Sequence, residues 1–306
     1  MIVYERRPTW LGLVFSVRGT ELEGIRFRLT FVFLISIVFT YFQEVGHVRS
    51  PLTIPALSLM GMAIGIFLGF RNNTSYDRFW EGRRLWGGLV NTSRTLTRHL
   101  LTLTAPHGDS ARVRACVHRI PAFVHALRAQ LRDQPLPSEL DSLLEPNERA
   151  LVAASRNPAN AILLQLQREL AGLANAGELT ELRLVEITTT LATLTDLQGG
   201  CERIKNTPMP HSYSTLIHRI VGIYVMILPF GLVQTLHLLT PFVVLIVAYT
   251  FLGLDSVGSE IEDPFGEDPN DLPLGSLSRM IEINVREMAG EVDLPELLKP
   301  VRGQLT

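Results

Sequence analysis

Residues 52–70 read LTIPALSLMGMAIGIFLGF, nineteen consecutive residues without a charged side chain. About 20 apolar residues in a helix cross the hydrocarbon core of a bilayer, so this stretch predicts a membrane span. The rest of the chain agrees, because 46% of its 306 residues are hydrophobic and only 19% are charged, against about a quarter in soluble proteins. The formal net charge of −2 excludes a polycation that coats nucleic acid, and no nucleic-acid partner is expected.

Two further uncharged runs flank this span in the sequence. The run 220–254 is too long for one crossing and contains Pro229 and Pro241, so we interpret it as a helical hairpin that turns near 234–241. The run 29–42 is short, but it becomes a span if the arginines before it lie at the headgroups. The sequence therefore predicts an all-α membrane protein with four membrane-embedded segments.

The distribution of basic residues predicts the orientation. The two expected outer loops, 43–51 and 234–241, hold one of the 28 basic residues, Arg49. Because cytoplasmic loops carry the excess of Arg and Lys, both termini and the region 71–218 are expected in the cytoplasm. The first 25 residues lack an apolar core, which argues against a cleavable signal peptide.

The sequence divides into five parts of different composition. Local signals in the central part predict helices. Asn157-Pro158 is typical of a helix start, and Gly177 is expected to end that helix. A further helix over 178–198 is expected to stop at Gly199-Gly200. The parts are a cytoplasmic N-terminal segment (1–28), the first two spans (29–70), a cytoplasmic helical region (71–218), a transmembrane hairpin (219–254) and an acidic cytoplasmic tail (255–306).

The span 52–70 carries two stripes of different size. Gly61, Gly65 and Gly69 recur every four residues, and small residues at that spacing let helices approach closely in a membrane. Met62, Ile66 and Phe70 form a bulky stripe rotated by about 100°. Either both stripes pack inside one chain, or copies of this helix surround an axis, with the glycines against neighbours and the bulky stripe facing a lumen that gates by dewetting.

Several function classes lack their sequence signals. No acidic or basic residue lies near the centre of a span, which argues against a coupled transporter. The chain has no phosphate-binding glycine loop, nucleophile elbow or carboxylate–histidine set in the spans, so we expect no enzymatic activity and no catalytic residue. Cys116 and Cys201 are expected to be buried free thiols. Four spans enclose no aqueous path alone, so a pore requires a ring of subunits.

The chain resembles the bestrophin family, in particular its bacterial branch. The resemblance extends from the N-terminus to the acidic tail, over Arg7-Pro8 with Trp10, 61–73 (GMAIGIFLGFRNN), 78–87 (RFWEGRRLWG), 201–204 (CERI), 207–210 (TPMP), 262–267 (EDPFGE) and 270–273 (NDLP). It implies a homopentameric ion channel of the bacterial inner membrane, with a central pore, a cytoplasmic helical body, and the lipid bilayer and permeant monovalent ions as its other partners.

The resemblance also assigns roles to particular residues. It implies that Met62, Ile66 and Phe70 form the pore neck and that Leu182 forms a second, cytoplasmic aperture. Glu260, Asp263, Asp268 and Asp271 match the calcium clasp of eukaryotic members, and carboxylate oxygens suit Ca²⁺. We favour an acidic, solvated surface over a calcium or divalent site there, and expect no required cofactor.

Selectivity and the alternative function remain as hypotheses. An apolar neck has no charge preference, carboxylates near the mouths would favour cations, and Arg71 and Arg78 would favour anions. We expect passive flow of small monovalent ions, with cations slightly favoured over chloride because the neck is closest to the bacterial branch. The alternative is a non-conducting, membrane-anchored scaffold that binds a soluble partner.

Overall fold

The computed structural model describes residues 9–14, 16, 19–46, 52–104, 111–301 and 303–305. In these residues the regular structure is helical, apart from one isolated β-bridge between Val301 and Gln304, which confirms the all-α prediction. The helices are α1 Trp10–Val14, α2 Glu21–Gly46, α3 Ile54–Leu103, α4 Ala111–Leu131, α5 Leu140–Leu143, α6 Pro146–Ala153, α7 Pro158–Asn175, α8 Glu181–Asn206, α9 His211–Leu236, α10 Thr240–Glu260 and α11 Leu274–Met288.

The chain divides into two compact units. The spanning unit comprises Tyr4–Phe79 and Pro208–Asp263, and the globular unit comprises Met1–Val3, Trp80–Thr207 and Pro264–Thr306. Among the described residues, three helical stretches are long and apolar enough to cross a membrane: Glu21–Gly46, Ile54–Leu103 and His211–Glu260. The last of these is interrupted by a 3₁₀ turn at His237–Leu239, inside the predicted turn region. The count of four membrane segments stays a prediction.

The spanning unit is built on one apolar core. Helix α2 packs against α9 and α10, which also contact each other. Apolar side chains of α3 join the same cluster, including Leu57, Ile64 and Leu68. The turn between α9 and α10 places His237 in the left-handed region, at φ 47°, and its Nδ1 lies 2.8 Å from Glu44 Oε1. Arg49, the basic residue expected in the first outer loop, lies outside the described residues.

The globular unit confirms one predicted helix start and corrects one predicted stop. The Asn157 side chain accepts the Asn160 backbone N–H at 3.0 Å, Pro158 begins α7 and Gly177 follows it at φ 76°. The expected stop at Gly199-Gly200 is wrong, because α8 continues to Asn206. Gly200 is a packing position inside α8, since a Cβ there would lie 2.7 Å from the Leu85 side chain.

Cys116 on α4 and Cys201 on α8 are free and buried, as predicted. Burial raises the pKa of each thiol to about 12. Both side chains therefore behave as small apolar core groups at neutral pH.

Candidate functional site

Helix α3 has one face buried in its own protomer and a bulky apolar face outside it. Its buried stripe within the spanning unit consists of Leu57, Ile64, Leu68, Arg71 and Ser75. Met62, Ile66 and Phe70 are instead 66%, 54% and 62% exposed. The interpretation in which the bulky stripe packs inside one chain is therefore wrong.

The exposed stripe lies opposite the buried one. An α-helix turns about 100° per residue, which places Ile66 about 180° from the centre of the buried stripe, with Met62 and Phe70 about 40° to either side. We call Met62, Ile66 and Phe70 the neck face, after the position that the resemblance implies for them. Its three side chains are apolar and project from the protomer surface.

The glycine stripe has two different environments. At Gly61 an added Cβ would collide with the Tyr224 hydroxyl of α9, so this glycine permits close packing within the protomer. At Gly65 and Gly69 an added Cβ would have no atom within 4 Å. Gly65 and Gly69 therefore form a flat, open surface beside the neck face, which we call the Gly65–Gly69 flank. It lies about 80–120° around the helix axis from the buried stripe.

A buried ionic cluster follows the neck face directly. The Arg71 guanidinium is fully buried, and it donates from Nη1 to Asp255 Oδ1 at 2.6 Å and from Nη2 to Ser259 Oγ at 2.5 Å. The second Asp255 oxygen lies 2.6 Å from His218 Nδ1. The cluster joins the interior of α3 to the first turns of α9 and the last turns of α10, next to the turn of α3 that bears Phe70. Because Arg and Asp charges balance here, burial is tolerated.

This geometry corrects the expected role of two arginines. Arg71 lies on the buried stripe with its charge matched by Asp255, so it offers no unbalanced positive charge to an ion near Phe70. Arg78 is half-buried, and its Nε donates to the Glu262 carbonyl at 3.1 Å. Helical rotation places Arg78 on the same side as the buried stripe, about 120° from Ile66.

Sequence reasoning missed a charged residue, Asp77, that has the direction of the neck face on α3. Asp77 follows Phe70 by seven residues, which is two turns of α3, and it is exposed. Asn73, also exposed, lies between them on the same face. The seven-residue spacing between Phe70 and Asp77 is the signal in the sequence that places both on one face of the helix.

Leu182 lies in the first turn of α8 with 82% of its surface exposed. Its neighbour Arg183 donates from Nη1 to the Leu103 carbonyl at 3.0 Å, at the end of α3. That bond directs the arginine to a helix C-terminus, where a positive charge is favourable. The structure thus leaves an apolar side chain projecting at position 182.

The acidic residues of the expected calcium clasp have other partners. The Asp271 carboxylate is buried and accepts the Asp268 backbone N–H at 2.7 Å, which closes a loop. Glu260 and Asp263 are in the spanning unit. Across the part of the chain that the structure describes, no group of three or more His, Cys, Asp or Glu residues is arranged to hold a metal ion.

Comparison with known proteins assigns the family. A family model described as "Bacterial/Fungal Bestrophin protein" matches residues 1–287. The chain belongs to the bestrophin family. The resemblance stated from the sequence is confirmed, although its Arg7-Pro8 motif lies outside the described residues.

Relatives of this bestrophin are similar over almost their whole length. The voltage-dependent anion channel-forming protein YneE of Escherichia coli K12 is 40% identical over 299 residues, 97% of each chain. A voltage-dependent anion channel-forming protein of Ralstonia nicotianae is 39% identical over 93% of this chain and 94% of its own. The crystal structure of a bacterial bestrophin homologue from Klebsiella pneumoniae matches with a TM-score of 0.82 and 38% identity, over 88% of this chain and 99% of that chain.

These comparisons bear on two functional expectations. Bestrophins are ion channels and not enzymes, as expected from the sequence. The expected preference for cations finds no support, because the curated relatives are named as anion channel-forming proteins.

Proposed function

We propose that this bestrophin forms a homopentameric channel that passes small monovalent anions passively across the bacterial inner membrane. Both termini lie in the cytoplasm, and no cofactor or bound metal is required. Met62, Ile66 and Phe70 form the constriction within the membrane, and Leu182 forms a second aperture on the cytoplasmic side.

The observation that carries the proposal is the position of the neck face. Three bulky apolar side chains lie opposite the stripe that packs into the protomer core. The Gly65–Gly69 flank beside them is open and admits the close approach of another helix. When the α3 helices of adjacent protomers pack against that flank, the neck faces of all protomers lie toward a common axis. There they form an apolar ring that controls ion flow through dewetting.

The anion preference rests on the relatives, and the neck does not oppose it. Arg71, which is next to Phe70 on α3, forms an ion pair with Asp255, and its positive charge is therefore neutralised. The constriction itself then has no net charge.

The proposal is tested by recording currents from purified protein in planar bilayers under a KCl gradient. We expect the reversal potential to have the same sign as the chloride equilibrium potential. Ile66→Ala should raise the single-channel conductance at least about twofold, because a smaller side chain widens the dewetted zone. Ile246→Ala is the matched control, since Ile246 is also exposed, at 66%, but lies on α10.

Each outcome has a distinct meaning. Absence of current from the wild-type protein would favour the non-conducting scaffold. A reversal potential of the cation sign would overturn the anion preference alone. Unchanged conductance in Ile66→Ala, or an equal rise in Ile246→Ala, would show that the neck face does not line the constriction.

A further inference from the structure

We propose that Asp77 is a selectivity-determining residue whose carboxylates ring the cytoplasmic side of the neck and restrain anion passage. The inference rests on the proposed channel function, because it requires the neck face to line an ion path. It concerns a residue that shares the direction of the neck face but is not one of the three side chains proposed to form the constriction.

Helical register places Asp77 on the ion path. Rotation by about 100° per residue puts Asp77 about 20° from the direction of Ile66 and of Phe70, and therefore on the neck face. The rise of about 1.5 Å per residue puts it about 10 Å beyond Phe70. Its side chain is exposed, and no hydrogen bond or ion pair of its carboxylate occurs within the described part of the chain.

The other charges of this segment face elsewhere. Residues 54–79 contain three charged side chains, Arg71, Asp77 and Arg78. Arg71 is buried against Asp255, and Arg78 bonds to the Glu262 carbonyl on the protomer side of α3. Asn72 is likewise engaged, since its Nδ2 donates to the Leu254 carbonyl at 3.0 Å. Of the three charged side chains in residues 54–79, Asp77 is thus the one that faces the proposed ion path next to the neck.

A ring of carboxylates at this distance acts through local concentration. Negative charge lining a narrow path enriches cations and depletes anions there, by a factor that depends on salt. The screening length is about 10 Å at 0.1 M salt and about 3 Å at 1 M. Asp77 lies about 10 Å from Phe70 along the helix. The potential of its carboxylates therefore extends to Phe70 in dilute salt and is screened before Phe70 in concentrated salt.

The test compares anion-to-cation permeability ratios of Asp77→Asn and wild-type channels in planar bilayers. At about 0.1 M KCl, removal of the carboxylate should raise the chloride-to-potassium ratio about sevenfold, because a local potential of about one kT changes the anion and the cation concentrations by about threefold each, in opposite directions. At about 1 M the two ratios should converge. Asp77→Glu should keep the wild-type ratio, because it preserves the charge.

Glu23→Gln provides the matched control. Glu23 is exposed in the first turn of α2, so the substitution changes net charge equally without touching the neck face. A conducting wild type with an unshifted Asp77→Asn ratio, an equal shift in Glu23→Gln, or a shift that persists at 1 M would overturn the inference and leave the channel function intact. A wild type without current would overturn both, whereas a salt-dependent shift confined to Asp77→Asn supports both.

Discussion

The spanning unit and the globular unit bury their side chains in different ways. On α2 of the spanning unit one stripe is buried, and large apolar side chains such as Phe31 and Tyr41 remain exposed. On α4 of the globular unit every residue from 120 to 127 is buried, around the whole circumference of the helix. The globular unit thus completes its core within one chain, whereas the spanning helices leave apolar faces for lipid or for neighbouring protomers.

The two units also differ in buried charge. In the spanning unit the buried ion pair joins Arg71 to Asp255. In the globular unit α4 and α11 share a network in which Glu282, 2% exposed, pairs with Arg279 and Arg286 at 3.1 Å each and lies 2.9 Å from His125 Nε2. In the described part of the spanning unit the buried charge is thus concentrated at Asp255, whereas the globular unit distributes its buried charge over several groups.

The largest contrast is expected from one substitution made in both units. Gly65→Leu should abolish the oligomer and leave the protomer folded, because its flank is open within the protomer. Gly200→Leu should unfold the globular unit, because Leu85 already occupies the space beside Gly200. Light scattering in detergent measures the mass of each variant, and circular dichroism measures its helix content. An oligomeric Gly65→Leu protein, or a natively melting Gly200→Leu protein, would remove the contrast.

The next effect is expected at the buried pair of the spanning unit. Asp255→Ala should cost about 3–5 kcal/mol, because it leaves the Arg71 guanidinium buried without its counter-charge. Replacing both partners, as Arg71→Met with Asp255→Leu, should cost much less, because no unpaired charge remains. Thermal unfolding in detergent compares the variants. If the double variant were no more stable than Asp255→Ala, the cost would come from lost packing and not from the unpaired charge.

Much of this architecture could be predicted from local sequence signals, and the rest depends on contacts between distant residues. The uncharged run 52–70, the turn near 237 and the Asn157 cap each follow from short-range chemistry, and the neck face follows from four-residue spacing. The burial of Arg71 could not be foreseen, because Asp255 lies 184 residues away in the sequence. The role of Gly200 has the same origin: a local pattern predicts a helix stop there, whereas its packing partner Leu85 is distant in the chain.

The smallest effect is expected in the globular unit and depends on pH. Burial opposes ionisation of Glu282, but the hydrogen bond with His125 and the nearby arginine charges outweigh it and lower the pKa of this carboxyl below its ordinary value. A lowered folded-state pKa means that the carboxylate stabilises the fold above the unfolded pKa of about 4.3, and that this contribution is lost as the pH falls through the folded value. Glu282→Gln should therefore cost about 1.5–3 kcal/mol at pH 7, the range for hydrogen bonds to charged groups, and less below pH 4.

Apparent melting temperatures from pH 3 to pH 7 measure this difference. Glu287→Gln is the matched control, because Glu287 is exposed on the same helix. The wild-type and Glu282→Gln curves should converge in acid, while Glu287→Gln should follow the wild type throughout. Parallel curves for the wild type and Glu282→Gln would mean that the Glu282 charge does not stabilise the globular unit. The charge network would then fix the geometry of α4 and α11 without adding to their stability, and the contrast between the two units would lie in apolar burial alone.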